Sequence, residues 1–167
     1  MVEEWIDLYD RSGRPLGRKI PKGVKRENGE YYRHVHIILY SRQGGWLIQQ
    51  RSMGKEFFPG KWDVTGGGVI AGEESRDAAL REVREELGLS IPPEELRYAG
   101  GMVVEEAGRC LLDVWYALLD FRPEECVLQK EEVQAVKLVS FEELLALCLD
   151  KGPEYRALLE KTGGGLY

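Results

Sequence analysis

The chain has 167 residues, 43% of them hydrophobic and 31% charged, which is the length and the balance of one folded globular domain rather than of a disordered chain. Its 23 basic and 29 acidic residues give a formal net charge of −6. This acidic excess argues against a protein that binds nucleic-acid polymers by neutralising their phosphates. We therefore expect a single domain over residues 1–167.

The first half of the chain contains short runs with the alternation of a half-buried strand, separated by turns. This pattern predicts strands at Glu4–Tyr9, Arg33–Tyr40 and Trp46–Gln50, and a short extended stretch at Asp63–Thr65. Proline and glycine within Phe58–Trp62 predict a loop just before that stretch.

The clearest helix follows three consecutive glycines and spans roughly Ser75–Leu87. Ser75 is its predicted N-cap, and Gly88 stands where a left-handed C-cap residue belongs. One face is apolar, because spacings of one, three and four residues bring together Ala79, Leu80, Val83 and Leu87.

Three strands and two helices are predicted in the second half. The strands, the first two joined by a turn at 107–108, are Arg97–Val104, Cys110–Leu119 and Val133–Val139. Ser140 and Glu143 form a capping-box pattern that opens a helix to about Leu149. Pro153 starts a last helix that ends before Gly163. Strands before, between and after helices predict an α+β domain built on mixed sheets.

The long helix carries a dense group of acids. Glu82, Glu85 and Glu86 fall within about a 100° arc, since each residue turns the helix by ~100°. One interpretation is a solvated face with Arg81 and Arg84 as partners. The other is a site for a divalent cation, and all-oxygen ligands suit Mg²⁺ or Mn²⁺. The upstream glycines favour the second interpretation, because they let backbone groups approach a ligand closely.

A spaced motif extends this helix towards the N-terminus. The residues from Gly67 to Leu89 meet all nine specified positions of G-x5-E-x7-R-E-U-x-E-E-x-G-U, where U is aliphatic. This pattern resembles the box of the Nudix family, and the likeness covers roughly residues 30–150. It implies an α+β fold of the Nudix type, which is an α/β/α sandwich with a mixed β-sheet and the box as a loop–helix–loop.

The resemblance also implies a role for the residues of the motif. Glu82, Glu85 and Glu86 would hold Mg²⁺ (or Mn²⁺), together with a backbone carbonyl near Gly67. Arg81 would orient these carboxylates by hydrogen bonding. The implied reaction is the hydrolysis of a diphosphate linkage, for which metal ions neutralise charge and lower the pKa of an attacking water.

Two carboxylates outside the acidic arc are expected to assist. Glu73 would support either the metal or its loop. Glu132, just before a predicted strand, is our choice for the general base that this family often keeps outside the box. Glu105 and Glu106 compete for that role, and an exposed charged turn is an equal alternative for each acid pair.

Upstream of the box, Arg51 and Lys55 resemble the substrate-contacting residues of the branch that includes isopentenyl-diphosphate isomerases. We predict that both bind the diphosphate, because a substrate of charge −2 or more needs cations beside the metal. The competing interpretation is two basic residues at a strand end and in a loop.

An isomerase of that branch, acting on a prenyl diphosphate, is the alternative function. Gly66 stands where isomerases need a cysteine, and Tyr32 stands where they place a histidine. His34 and His36 alternate within a strand, which favours a structural role. A second alternative is a non-catalytic nucleotide-binding regulatory module, but such modules usually lose box glutamates and none is lost here.

The leading hypothesis is a Mg²⁺-dependent pyrophosphohydrolase that cleaves a diphosphate linkage in a nucleoside diphosphate derivative or a nucleoside di- or triphosphate. Its partner would be this small-molecule substrate. The candidates for stacking on a base are Trp46, Phe57, Phe58 and Trp115, and a position in the core is an equal alternative for each of them. Homodimers are common among proteins that resemble this chain, and a homodimer is an assembly that the resemblance allows.

The expected environment is the cytoplasm. The N-terminus is acidic where a secretion signal would be basic, and no apolar run approaches the ~20 residues of a membrane span. The cysteines are odd in number and form no CxxC pair, which indicates a reduced protein without a disulfide framework: Cys110, Cys126 and Cys148.

Overall fold

The computed structural model describes residues 2–106 and 108–163. Within these residues the strands are β1 (Trp5–Tyr9), β2 (Pro15–Pro21), β3 (Tyr32–Ser41), β4 (Trp46–Arg51), β5 (Trp62–Asp63), β6 (Thr65–Gly68), β7 (Arg97–Val104), β8 (Cys110–Leu119) and β9 (Val133–Val139). The helices are α1 (Ser75–Leu87), α2 (Phe141–Leu147) and α3 (Gly152–Gly163). Ala107, in the predicted turn, lies outside the described residues.

The strands form two sheets. β1 and β2 pair in a separate antiparallel sheet, and the larger sheet has the order β5-β4-β3-β8-β7, with β6 added on β3 and β9 on β4. β3 and β8 run parallel from the pair Tyr32–Cys110 to the pair Ser41–Leu119. The other pairings of the larger sheet are antiparallel. The predicted mixed sheet is therefore confirmed.

Helices cover both faces of the larger sheet. The core on one face joins β3 to α1 and contains Val35, Ile37, Leu39, Ala79, Val83 and Leu87. The core on the other face joins β3 to α2 and α3 and contains Ile38, Leu144, Tyr155 and Leu159. Because successive side chains of a strand point to opposite faces, β3 contributes to both cores. This arrangement confirms the α/β/α sandwich.

Helix α1 has the predicted bounds but a different N-cap. Glu74 is the N-cap residue, and its side chain makes no capping hydrogen bond. The Ser75 hydroxyl instead accepts a hydrogen bond of 3.0 Å from Trp115 Nε1 on the sheet, so the prediction for Ser75 is wrong. Gly88 has the predicted left-handed conformation, with φ of 66°, and its N–H donates to the Arg84 carbonyl.

The remaining elements differ from the prediction mainly in their ends. Helix α2 begins at the predicted capping box, where the N–H groups of Ser140 and Glu143 each donate to the side chain of the other residue. It ends at Leu147, and α3 begins at Gly152 and continues through Gly163. Strand β2 was not predicted, because most of its residues are exposed and show no alternation.

The β1–β2 hairpin braces the loop between β6 and α1. The Ala71 N–H donates to the Trp5 carbonyl at 2.7 Å. The Gly72 N–H donates to Asp7 Oδ2 at 2.8 Å. Two hydrogen bonds donated to a separate sheet thus hold the loop that leads into the acidic helix.

The three cysteines are free thiols, as expected. Burial raises the pKa of Cys110 to about 11 and that of Cys148 to about 12, so both stay protonated at neutral pH. No helix within the described residues is long and apolar enough to cross a membrane.

Candidate active site

The first residues of the box lie in strand β6. Gly67 lies opposite Val35 in the pairing of β6 with β3. A Cβ atom on Gly67 would lie 2.2 Å from Cδ of Glu82. Glycine is therefore required at this position for the Glu82 carboxylate to lie against the backbone of β6.

Arg81 donates hydrogen bonds to three carboxylates of the box. Its Nε and Nη2 atoms bind the two oxygens of Glu73 at 2.8 and 2.9 Å. Its Nη1 atom donates to Glu82 Oε1 at 2.9 Å and to Glu85 Oε2 at 3.2 Å. Its Nη2 atom also donates to the Gly68 carbonyl at 3.1 Å. One guanidinium thus ties the loop, the strand and the helix together, and the hydrogen bonds that it donates to Glu73 contribute most to raising the pKa of Arg81.

Glu86 is held from the opposite side. Gln49 Nε2 on β4 donates to Glu86 Oε2 at 2.7 Å. The Thr65 hydroxyl donates to Gln49 Oε1 at 2.8 Å, which fixes the orientation of the amide. Burial raises the pKa of Glu86 to about 8, against the opposing effect of this hydrogen bond. In the absence of a cation, burial therefore favours the protonated form of Glu86.

Burial distinguishes the three glutamates of the acidic arc. Glu82 and Glu86 are only 6% and 7% exposed, whereas the Glu85 side chain is 46% exposed. Burial also raises the pKa of Glu82, although Arg81 opposes this. The solvated-face interpretation is therefore wrong for the buried pair and applies at most to Glu85.

These residues fit a hard divalent cation. The donors are carboxylates, which suit Mg²⁺ or Mn²⁺. Two of them, Glu82 and Glu86, are buried, and burial raises their pKa values because it disfavours the charged form. Across residues 2–106 and 108–163, no three His, Cys, Asp or Glu side chains are already grouped for a metal ion. Arg81 and Gln49 instead donate hydrogen bonds to one oxygen of each of the three carboxylates.

The predicted substrate-binding residues lie beside this carboxylate group. Arg51, at the end of β4, donates from Nε to the Phe57 carbonyl at 2.6 Å. Lys55 forms an ion pair of 2.8 Å with Glu132, and the Ser52 N–H donates to the Glu132 carbonyl at 2.8 Å. Arg51 lowers the pKa of Glu86, and Glu132 raises it. The structure therefore brings Arg51, Lys55 and Glu132 together near Glu86.

The Glu105 side chain is held by residues outside this carboxylate group. Its carboxylate accepts hydrogen bonds of 2.7 Å from Arg11 and from the Tyr31 hydroxyl. Those two partners account for both of its oxygens. The geometry thus favours Glu132 over Glu105 as the acid that could act near Glu86.

Sequence reasoning missed Lys22, which follows β2. Its Nζ atom lies 2.8 Å from Glu4 Oε2. Burial lowers the pKa of Lys22, but Glu4, Glu82 and Glu132 together raise it. Lys22 thus places a positive charge near Glu82 and Glu132, although it lies outside the spaced motif. No local signal pointed to it, because Lys22 reaches the site only through the fold of the β1–β2 hairpin.

The two histidines have structural contacts. His34 Nδ1 lies 3.2 Å from the Tyr32 hydroxyl, and His36 Nδ1 lies 2.8 Å from the Tyr155 hydroxyl. Burial lowers the pKa of His34 to about 3 and that of His36 to about 4. Both rings are therefore neutral at pH 7.

Gly66 has no room for the cysteine that an isomerase would need. A Cβ atom there would lie 2.6 Å from the Val35 carbonyl oxygen and 2.7 Å from His36 Cδ2. The first atom is backbone of the adjacent strand, so a side chain at 66 would require the pairing of β6 with β3 to shift. The packing thus opposes an isomerase-type centre at this position.

The sequence profile of the NUDIX domain matches residues 30–161. A Nudix hydrolase from Listeria monocytogenes is 36% identical over 147 residues, which cover 87% of this chain and 85% of that protein. A Nudix hydrolase from Listeria innocua is 40% identical over 148 residues, with coverage of 87% and 85%.

Solved structures have the same fold. The DR0079 protein of Deinococcus radiodurans has a TM-score of 0.74 at 23% identity, and the match covers 95% of this chain and 98% of that one. An Ap4A hydrolase complex from C. elegans has a TM-score of 0.62 at 24% identity, covering 80% and 96%. The NUDIX domain of Shewanella oneidensis NrtR, complexed with ADP ribose, has a TM-score of 0.62 at 20% identity, covering 91% and 96%. The chain therefore belongs to the Nudix hydrolase family, enzymes that act on pyrophosphate bonds.

Proposed function

We propose that this protein is a Mg²⁺-dependent (or Mn²⁺-dependent) pyrophosphohydrolase that cleaves a diphosphate linkage in a nucleoside diphosphate derivative or a nucleoside di- or triphosphate. One observation carries the proposal: the buried carboxylates of Glu82 and Glu86 lie beside Glu85, with Arg51 and Lys55 at the edge of the same site. Buried carboxylates suit a bound metal ion, which would compensate their charge, and the nearby cations suit an anionic substrate.

In this proposal the glutamates of the acidic arc hold the metal, together with a backbone carbonyl near Gly67. When bound, the metal would neutralise charge on the diphosphate and lower the pKa of a water. Arg81 orients Glu82 and Glu85, and Gln49 orients Glu86, through the contacts described above. Arg51 and Lys55 bind phosphate oxygens.

Glu132 is the proposed general base. Lys55 now pairs with it, so a phosphate that attracts Lys55 would leave the Glu132 carboxylate free to accept a proton. The ion pair is partly exposed, and such pairs contribute only about 0–1 kcal/mol. Its loss is therefore a small cost against binding of a multiply charged substrate.

Two solved structures of similar fold support the proposed substrate class. A related fold holds ADP ribose in its complex, and another is named as an Ap4A hydrolase. Both compounds carry adenosine on a phosphate anhydride, which is the kind of bond that the proposed enzyme cleaves. We further propose that residues 1–167 act as one domain, because the β1–β2 hairpin braces the loop before α1. The homodimer and the cytoplasmic location stay predictions.

Removal of the metal should abolish activity. We expect hydrolysis of ADP, ADP-ribose or ATP to require Mg²⁺ or Mn²⁺ and to stop in excess chelator, because phosphoryl charge would then lack its main stabilisation. Product release across a panel of diphosphates measures this, and isothermal titration with Mg²⁺ gives a second readout. Full turnover in a metal-stripped, chelated sample would contradict the proposal.

Loss of either substrate-binding cation should weaken binding more than folding. Arg51→Ala and Lys55→Ala are each expected to raise KM by about 10-fold or more, because a charge-assisted hydrogen bond contributes about 1.5–3 kcal/mol. Arg97→Ala, which removes an exposed cation from β7, is the matched control. Unchanged KM and kcat in both site variants would mean that Arg51 and Lys55 are solvated bystanders.

A further inference from the structure

The loop of residues 52–60, here called the aromatic loop, exposes apolar side chains next to the site. Met53, Phe57 and Phe58 are 64%, 64% and 63% exposed. The other two candidates for base stacking, both tryptophans, pack in or against the hydrophobic cores. Trp46 is only 4% exposed within a core, and Trp115 packs against the other core and donates to Ser75.

Backbone hydrogen bonds fix the aromatic loop although its rings are exposed. The Gly60 N–H donates to the Arg51 carbonyl at 3.0 Å, and the Arg51 N–H donates to the Lys61 carbonyl at 2.8 Å. Gln50 Nε2 also donates to the Gly60 carbonyl at 3.1 Å. Phe58 has a φ of 52°, a left-handed conformation that a bulky residue adopts only where its surroundings hold it.

The same loop contacts the phosphate-binding end of the site. The Phe57 carbonyl accepts the hydrogen bond from Arg51 Nε at 2.6 Å. Lys55 belongs to the same loop and pairs with Glu132. The exposed rings are therefore connected, through one hydrogen bond, to a side chain that we place on the diphosphate.

We propose that Phe57 and Phe58 form the surface on which the nucleobase of the substrate stacks, and that they select nucleoside diphosphates over diphosphates without a ring. This inference rests on the proposed function, because the ring would be tethered to the diphosphate held by Arg51 and Lys55. Stacking on exposed aromatic side chains tolerates different bases, since every base has a π-face. The surface therefore predicts preference for a nucleoside with weak discrimination among bases.

A nucleobase fits this surface better than an anionic membrane does. Lys61, whose Nζ atom lies 5.3 Å from the centre of the Phe58 ring, is paired with Asp150. The chain also carries a net charge of −6, which opposes binding to anionic headgroups. The nucleobase, by contrast, is attached to the diphosphate, and the proposed contacts of Arg51 and Lys55 with the diphosphate would bring it to this surface.

Equilibrium binding separates the ring from the phosphates. The dissociation constants of ADP, isopentenyl diphosphate and inorganic pyrophosphate are measured with Ca²⁺ for the wild type, Phe57→Ala and Phe58→Gly. Glycine removes the Phe58 ring and suits the positive φ, so this variant keeps the loop conformation, which its thermal midpoint checks. Leu149→Ala, which truncates an apolar residue that is 71% exposed in the segment between α2 and α3, outside the aromatic loop, is the matched control.

We expect each ring variant to weaken ADP binding by about 10-fold, to leave pyrophosphate binding unchanged and to differ from Leu149→Ala. Equal losses for ADP and pyrophosphate, no loss for ADP, or a loss confined to isopentenyl diphosphate would overturn the inference. A change only in self-association or in binding to anionic vesicles would also overturn it. If the wild type hydrolyses ADP with Mg²⁺ while these results fail, the proposed function stands and the stacking surface alone is wrong. If the wild type binds neither ADP nor pyrophosphate, both are wrong.

Discussion

Glu85→Gln is expected to lower kcat by at least about 100-fold, because metal stabilisation of transition-state charge supplies several kcal/mol. The change keeps the volume of the side chain and an oxygen that can still accept from Arg81 Nη1, which lies 3.2 Å from Glu85 Oε2. Since Glu85 is half-exposed, the free energy of unfolding should change by no more than about 0.5 kcal/mol. A large kinetic effect with a small stability effect is the signature of a metal ligand.

The kcat and the thermal midpoint of this variant should be measured with and without Mg²⁺. Glu74→Gln is the matched control, because Glu74 is exposed, lies at the start of the same helix and makes no capping hydrogen bond. The control should keep both activity and metal-dependent stabilisation. Near wild-type turnover of Glu85→Gln at saturating Mg²⁺ would remove Glu85 from the site.

Glu86→Gln should stabilise the metal-free protein at high pH. The pKa of Glu86 is about 8 in the folded protein, against an ordinary value of 4.5. The folded state therefore binds the proton more tightly than the unfolded state, and the contribution of Glu86 to stability is present below pH 4.5 and lost as the pH rises towards 8. Glutamine stays neutral and can still accept from Gln49. We expect little difference at pH 5 and a gain of at least about 1 kcal/mol at pH 9.

Chemical denaturation of both proteins at pH 5 and pH 9, in chelator and then in Mg²⁺, measures this difference. Mg²⁺ should reverse the order at pH 9, because it stabilises the charged form of Glu86 in the wild type and has one ligand fewer in the variant. The Glu74→Gln variant should show no such reversal. A stability difference between the wild type and Glu86→Gln that is the same at both pH values would show that the Glu86 carboxyl is not desolvated.

Features that depend on neighbouring residues in the chain were predictable. The bounds of α1, the left-handed Gly88 and the capping box of Ser140 and Glu143 all follow from local spacing. The spaced motif also placed the carboxylates correctly on α1, since a helix converts spacing directly into direction. These parts of the site required no knowledge of the tertiary fold.

Features that depend on distant segments were not predictable. Ser75 is not the N-cap, since Glu74 holds that position, and the Ser75 hydroxyl accepts a hydrogen bond from Trp115 on β8. Gln49 holds Glu86 only because β4 passes beside α1, and Lys22 reaches the site through an exposed hairpin that lacks alternation. In each case a contact across the fold decides the role of the side chain, and the local pattern contains no trace of it.

The β1–β2 hairpin lies outside the region that the family profile matches, which begins at residue 30. It nevertheless holds the Ala71 and Gly72 amides of the loop before α1, and it brings Lys22 to the carboxylates. The candidate active site of this protein therefore extends beyond the region that the family profile matches. Substitutions in this hairpin can alter the charge that meets a substrate while every residue of the shared core stays the same.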